Sequence, residues 1–125
     1  MKNRLIAIAA LGAATAAVAT PALAGSTPSK SVEVGDNFLA PTKLTVDRGT
    51  RMVFRWSAQN ANQHDVKLTS APSGVTKWNS AVRTTDYTYR RTLTKAGTYK
   101  IICSLHPTQM RLSVRVRSGA SSSSG

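Results

Sequence analysis

Residues 110 to 117 read M-R-L-S-V-R-V-R. Met110, Leu112, Val114 and Val116 alternate with Arg111, Ser113, Arg115 and Arg117. Side chains of a strand leave alternately to its two faces, so this pattern makes one apolar side and one wet side. The same period of two runs through most of the chain. Leu44 and Val46 share a face in K-L-T-V-D. Met52, Phe54 and Trp56 oppose Arg51 and Arg55 in R-M-V-F-R-W. His64, Val66 and Leu68 align in H-D-V-K-L, with Asp65 and Lys67 turned the other way. Tyr87, Tyr89 and Leu93 align in Y-T-Y-R-R-T-L, and Tyr99, Ile101 and Cys103 in T-Y-K-I-I-C. Asp47-Arg48-Gly49, Pro72-Ser73-Gly74 and Lys95-Ala96-Gly97 punctuate the runs as turns. Short strands with one wet face and regular turns predict an all-β chain, an antiparallel β-sandwich or barrel of about seven to eight strands. Residues 70 to 86 are the least regular, with Val75 and Trp78 expected in an edge strand or an irregular cover.

The ends read differently. Lys2 and Arg4 precede an apolar run from Leu5 to Ala19, which Pro21 closes before Ala22-Leu23-Ala24. That is the layout of a secretory signal peptide over residues 1–24, and the run is shorter than the ~20 residues of a spanning helix. Arg4 has no arginine neighbour. The chain is therefore expected to be exported by a Sec-type route to a periplasmic or extracellular place. Residues 25–30 form a polar lead-in, 31–117 one domain, and 118–125, S-G-A-S-S-S-S-G, a disordered tail rich in Ser and Gly.

Loss of Lys2 and Arg4 leaves 15 of the 17 basic residues and all 5 acidic ones, a net charge of about +10. Such a surface suits an acidic protein partner, an anionic membrane or a cell-wall polymer. Nucleic acid is not expected outside the cytoplasm, and no aromatic-and-basic binding pattern accompanies the charge.

Chemistry concentrates in C-S-L-H-P-T-Q-M, residues 103 to 110. It holds the only cysteine, one of two histidines and one of three methionines. A lone cysteine in an exported chain forms no internal disulfide. It pairs between chains, lies inert in a core, or binds something. His64, Cys103 and Met110 each fall on the apolar side of their own run, and His106 follows the thiol by three residues. Singly, each has a plain packing role. Together, three inward-facing donors point to a shared metal. Thiolate and thioether suit copper, and two His with one Cys and a weak axial Met is the blue-copper arrangement. Structural zinc asks for more cysteines, and an iron–sulfur cluster for several thiolates. A Cys–His nucleophile pair lacks a third orienting residue and leaves Met110 and His64 unused.

From Val32 to Val116 the chain resembles the cupredoxins, of the plastocyanin and amicyanin type. The matching stretches are Phe38 to Phe54, N-x-x-x-H-D-V from Asn60, and A-G-T-Y-K-I-I-C-S-L-H-P from Ala96 to Pro107. The resemblance implies a Greek-key sandwich with one copper ion, held by His64, Cys103 and His106 in a plane and by Met110 on the axis. Two departures stand out. The loop is C-x₂-H-x₃-M, one residue longer before Met than amicyanin-like loops and one shorter than plastocyanin-like ones. Gln109 stands where the shorter loop has its Met, but Met110 shares the inward register of Leu112 and Val114. Asp65 stands where the family often has Asn, bringing negative charge near the copper.

The resemblance further implies a small monomeric electron shuttle rather than an enzyme. It would cycle Cu(II)/Cu(I) between redox partners, with His106 as the electron port among Leu105, Pro107 and, less directly, Leu39 and Pro41. An acidic redox protein is the expected partner. The alternatives are an extracytoplasmic copper carrier, or a metal-free sandwich binding anionic polymers through its arginines.

Overall fold

The computed structural model describes Thr27–Ser118. The signal peptide expected over 1–24 and nearly all of the tail expected over 118–125 lie outside the described residues. The described part is built from strands: β1 (Ser29–Gly35), β2 (Phe38–Ala40), β3 (Lys43–Asp47), β4 (Thr50–Trp56), β5 (Lys67–Ser70), β6 (Thr88–Leu93), β7 (Gly97–Ile102) and β8 (Arg111–Arg117). The first strand starts at Ser29, inside the stretch read as a polar lead-in.

Two four-stranded sheets form, in the orders β2-β1-β4-β6 and β3-β8-β7-β5. The expected sandwich of about seven to eight strands is present, and the pairing within it is mixed. β1 runs parallel to β4, and β3 parallel to β8. The remaining neighbours are antiparallel. Parallel neighbours need a crossover. Here the chain supplies it by leaving the first sheet after β2, contributing β3 to the second, and returning as β4. Alternation along a strand tells which face is inward, not which way its neighbour runs.

The two inner faces meet in one core, as the period-two runs require. Val32, Val34, Met52, Phe54 and Trp56 come from the first sheet; Leu68, Tyr99, Ile101, Leu112 and Val114 come from the second. Each such side chain contributes roughly 1.5 to 3 kcal/mol by leaving water. Tyr99 is buried among them and satisfies its hydroxyl by donating to the Lys95 carbonyl at 2.7 Å. Residues 71–87 carry no long strand. They cover the open side of the core, with Trp78 packed on Phe54 and Tyr89 at ring distances of 5.9 and 5.7 Å. The irregular-cover reading of Trp78 is therefore the right one. Gly97 lets this cover close. Its φ is +135°, and a Cβ there would fall 2.6 Å from the Pro72 ring.

Phe54 is fully buried between the layers, while Arg55 beside it faces water. Phe54→Ala is expected to cost about 3 to 5 kcal/mol. Arg55→Ala should stay within about 0.5 kcal/mol. Denaturant midpoints of the two variants check the assignment of faces.

Candidate metal centre

The β7–β8 connection carries most of the chemistry. Ile102 and Arg111 are the last register pair of the hairpin, so Cys103 and Met110 stand side by side where it opens. The Cys103 N–H donates to the Met110 carbonyl at 3.1 Å. Two successive turns fill the loop. The His106 N–H donates to the Cys103 carbonyl at 3.1 Å, and the Met110 N–H to the His106 carbonyl at 3.0 Å. These bonds fix the spacing C-x₂-H-x₃-M in space. Cys103 and Met110 are fully buried, His106 is half-buried, and Gln109 is exposed. Gln109 lines an outer groove with Lys100 and Arg111 instead of the interior. The register argument for Met110 over Gln109 agrees with these burials.

His64 arrives from the long β4–β5 connection. Its backbone is clamped on both sides: its N–H donates to the Arg83 carbonyl at 2.9 Å, and its carbonyl accepts from Arg83 N–H at 3.0 Å and from the Trp56 indole at 3.1 Å. Asn60 braces the same connection by donating to the Val34 and Thr84 carbonyls at 2.9 and 3.0 Å. The His64 ring is fully buried. Its Nδ1 lies 4.0 Å from Cys103 Sγ, and His106 Nδ1 lies 3.7 Å from the same sulfur. The three donor atoms lie within 4.8 Å of one another.

Asp36 was not singled out by sequence reasoning. It sits in the β1–β2 turn, where Asp-Asn reads only as a turn signal. Its carboxylate accepts from Ala61 N–H at 2.8 Å, from Asn62 N–H at 3.1 Å and, at 2.8 Å, from the Nε2 of His64. An Nε2 facing a carboxylate carries the proton, which leaves the Nδ1 lone pair aimed toward Cys103. The Ala61 N–H, more than any other partner, holds the Asp36 carboxyl below its ordinary range near 3.8, and the His64 bond lowers it further.

Asp65 corrects a second expectation. Alternation put it on the wet side with Lys67, yet it is 1% exposed. The run H-D-V-K-L is not one strand: β5 begins at Lys67, and His64 makes only an isolated bridge to Arg83. Asp65 therefore turns toward the cysteine loop. Its two oxygens accept from Ser104 N–H and from Ser104 Oγ–H, at 2.7 Å each. The ion pair between a basic side chain and a carboxylate among the described residues joins Arg117 to Asp47, and Asp36 bonds His64, so Asp65 has no Lys or Arg partner.

A transition metal bonded at about 2.0 Å to nitrogen and 2.3 Å to sulfur keeps those atoms roughly 3.5 to 4 Å apart. Both sulfur–nitrogen gaps fall in that range. One thiol, two imidazoles and an adjacent thioether side chain are soft donors, the set that suits copper. A buried carboxylate with no cationic partner is costly by itself, and a cation within the cage would offset it. The residues present fit the ion that the sequence implied.

The apolar surroundings of His106 are narrower than expected. Leu105 is 49% exposed beside it, but Leu39 is 1% exposed and belongs to the core.

Comparison with known proteins bears on the whole domain. The family model of the cupredoxin-like domain matches residues 7–114. Among solved structures, a reduced mutant of amicyanin is similar at 24% identity with a TM-score of 0.62, covering 77% of this chain and 89% of its own. A Cu(I) mutant of amicyanin is similar at 25% identity and a TM-score of 0.61, covering 71% of this chain and 82% of its own. A copper-containing nitrite reductase from Thermus scotoductus is similar at 27% identity and a TM-score of 0.60, over 72% of this chain but 22% of its own. No curated protein sequence matches the chain.

The lowered Asp36 carboxyl makes a pH prediction for the metal-free chain. A depressed folded value adds stability above about pH 3.8, and that stability is lost as pH falls through the lower value in the folded state. Asp36→Asn should therefore lower the denaturant midpoint at pH 6 and narrow its difference from wild type toward pH 2. Midpoints measured across that range decide it.

Proposed function

The chain belongs to the cupredoxin-like domain family, and from that premise we propose that it is an exported blue copper protein that shuttles single electrons. One observation carries the reading: the only cysteine sulfur of the chain is fully buried and forms a triangle with two imidazole Nδ1 atoms, at 3.7 and 4.0 Å, all three donors lying within 4.8 Å of one another. In it His64, Cys103 and His106 would hold the ion, with the Met110 thioether as a weaker fourth donor. A copper ion held by these residues would supply a one-electron Cu(II)/Cu(I) couple.

The residues of the chain do the rest. The two turns of the cysteine loop and the clamp on the His64 backbone hold the donors in one arrangement, so little need move between redox states. Burial of the sulfur and the His64 ring keeps reactants from the ion, which favours electron transfer over bond-making. Cupredoxin domains also occur within enzymes, as the nitrite reductase illustrates; the closed cage is what favours a shuttle here. His106 is the donor with an edge toward solvent, beside exposed Leu105 and Pro107, and serves as the electron port.

An acidic redox partner is supported by the outer face of the β3-β8-β7-β5 sheet. Lys43, Lys67, Lys100, Arg111 and Arg115 face outward there, with Arg117 bonded to the single carboxylate of that face, Asp47. Such a field speeds encounter with a negative surface and fades with salt. Export is supported by the layout of residues 1–24.

Cu(II) added to the purified exported chain is expected to bind at one equivalent and to give an intense thiolate-to-copper absorption. Cys103→Ser should abolish that band. Met110→Gln should shift it and change the electron-paramagnetic spectrum, while Gln109→Ala leaves both as in wild type. A colourless adduct that surrenders Cu(II) readily to a chelator would instead indicate a copper carrier.

A further inference from the structure

The chain has 17 basic residues and only 5 acidic ones, yet two of the five carboxylates sit against the donor cage. Asp36 bonds the far nitrogen of His64, and Asp65 bonds the residue that follows Cys103. Of the others, Glu33 and Asp86 are exposed and Asp47 pairs with Arg117. The two carboxylates reach the cage by different routes, one from the β1–β2 turn and one from the β4–β5 connection, through different donors.

Resting on the copper reading above, we infer that Asp36 and Asp65 are positioning residues that bias the cage toward cupric over cuprous ion, setting the potential below that of the same cage with neutral amides at both positions. Reduction removes one unit of positive charge from the ion. A fixed negative charge nearby therefore stabilises the oxidised state more than the reduced one, and a buried charge is screened little by solvent. Asp65 is placed for such an effect: it is 1% exposed, one oxygen accepts from the Ser104 N–H and the other bonds the Ser104 hydroxyl.

Asp36 acts through the ligand itself. A carboxylate accepting the Nε2 proton raises the donor strength of Nδ1 and fixes the ring orientation. Its bonds to Ala61 and Asn62 N–H hold that carboxylate in place. Asp65 also engages the Ser104 amide and hydroxyl, the donors next to Cys103 along the chain. The polar neighbours of Sγ among the described residues are the two Nδ1 atoms, so no amide donor draws charge from the sulfur.

Asparagine at 65 keeps an oxygen for the Ser104 N–H and can donate to the Ser104 hydroxyl, so there it separates charge from scaffolding; at 36 it removes the charge together with one of the N–H bonds that the two oxygens accept. Copper-loaded Asp36→Asn, Asp65→Asn and the double variant are compared with wild type by spectroelectrochemical titration and by Cu(II) and Cu(I) competition with chelators. Each single change is expected to lose about tenfold in Cu(II) affinity relative to Cu(I). For a one-electron couple, that raises the midpoint by about 59 mV. The double variant should rise further. In the metal-free wild type, ¹⁵N shifts of the His64 ring should show the proton on Nε2.

Midpoints that stay at the wild-type value, or fall, would overturn the inference; so would a His64 proton shared between its two nitrogens. Should Asp36→Asn fail to fold, Asp65→Asn decides the charge question by itself. A wild type without the thiolate-to-copper band would sink the copper reading. A wild type with that band, whose neutral variants keep its midpoint, would sink this inference alone.

Discussion

The structure depends on holding one sulfur and two imidazole nitrogens at the corners of one small triangle, in a place that water barely reaches. A thiol and two rings on a mobile loop would scatter, and the sandwich prevents this by anchoring each donor to a different rigid partner. Cys103 and Met110 close the β7–β8 hairpin, His106 is held by the turn between them, and His64 is fastened to Arg83 and Trp56. The core beneath supplies the stiffness. Side chains packed at crystal-like density leave their neighbours few alternatives, and Met110 and Cys103 continue the inward rows of β8 and β7 into the site.

Much of this could be read from residue order, because the information was local. Strand parity put Cys103 and Met110 inside and Gln109 outside, and the structure places them so; His64 is inside as well, though a single bridge to Arg83 holds it there and not a ladder. The two parallel pairings were not legible. Which strands become neighbours depends on where the chain crosses between layers, and alternation is blind to it. Alternation turned Asp65 away from the core because H-D-V-K-L looks like an unbroken strand, whereas the family resemblance put it near the copper; the chain is still irregular at Asp65, and its burial agrees with the resemblance. Asp36 was missed for a different reason. Its partner His64 is 28 residues away, and an acid in a turn resembles any other turn acid until the fold shows what it faces.

Charge is organised against the grain of the composition. The exterior is strongly basic, especially along the outer face of the β3-β8-β7-β5 sheet, while two of the five carboxylates sit at the cage. The arrangement answers two needs at different ranges. Surface cations act over a Debye length, about 8 Å at physiological salt, on what approaches. The carboxylates act within hydrogen-bond reach, Asp36 on the His64 ring itself and Asp65 on the residue that follows Cys103. A site placed at the end of β7 and β8 meets both, because the outward residues of those strands run from the basic face up to the cysteine loop.

X-ray absorption at the copper edge of the loaded chain tests the central claim most directly, since it reads the atoms around the ion without assuming a colour or a potential. The account predicts one sulfur at short distance and two imidazole nitrogens in both oxidation states, with little change between them. A shell of nitrogen and oxygen alone, or a sulfur present in one state and lost in the other, would contradict it.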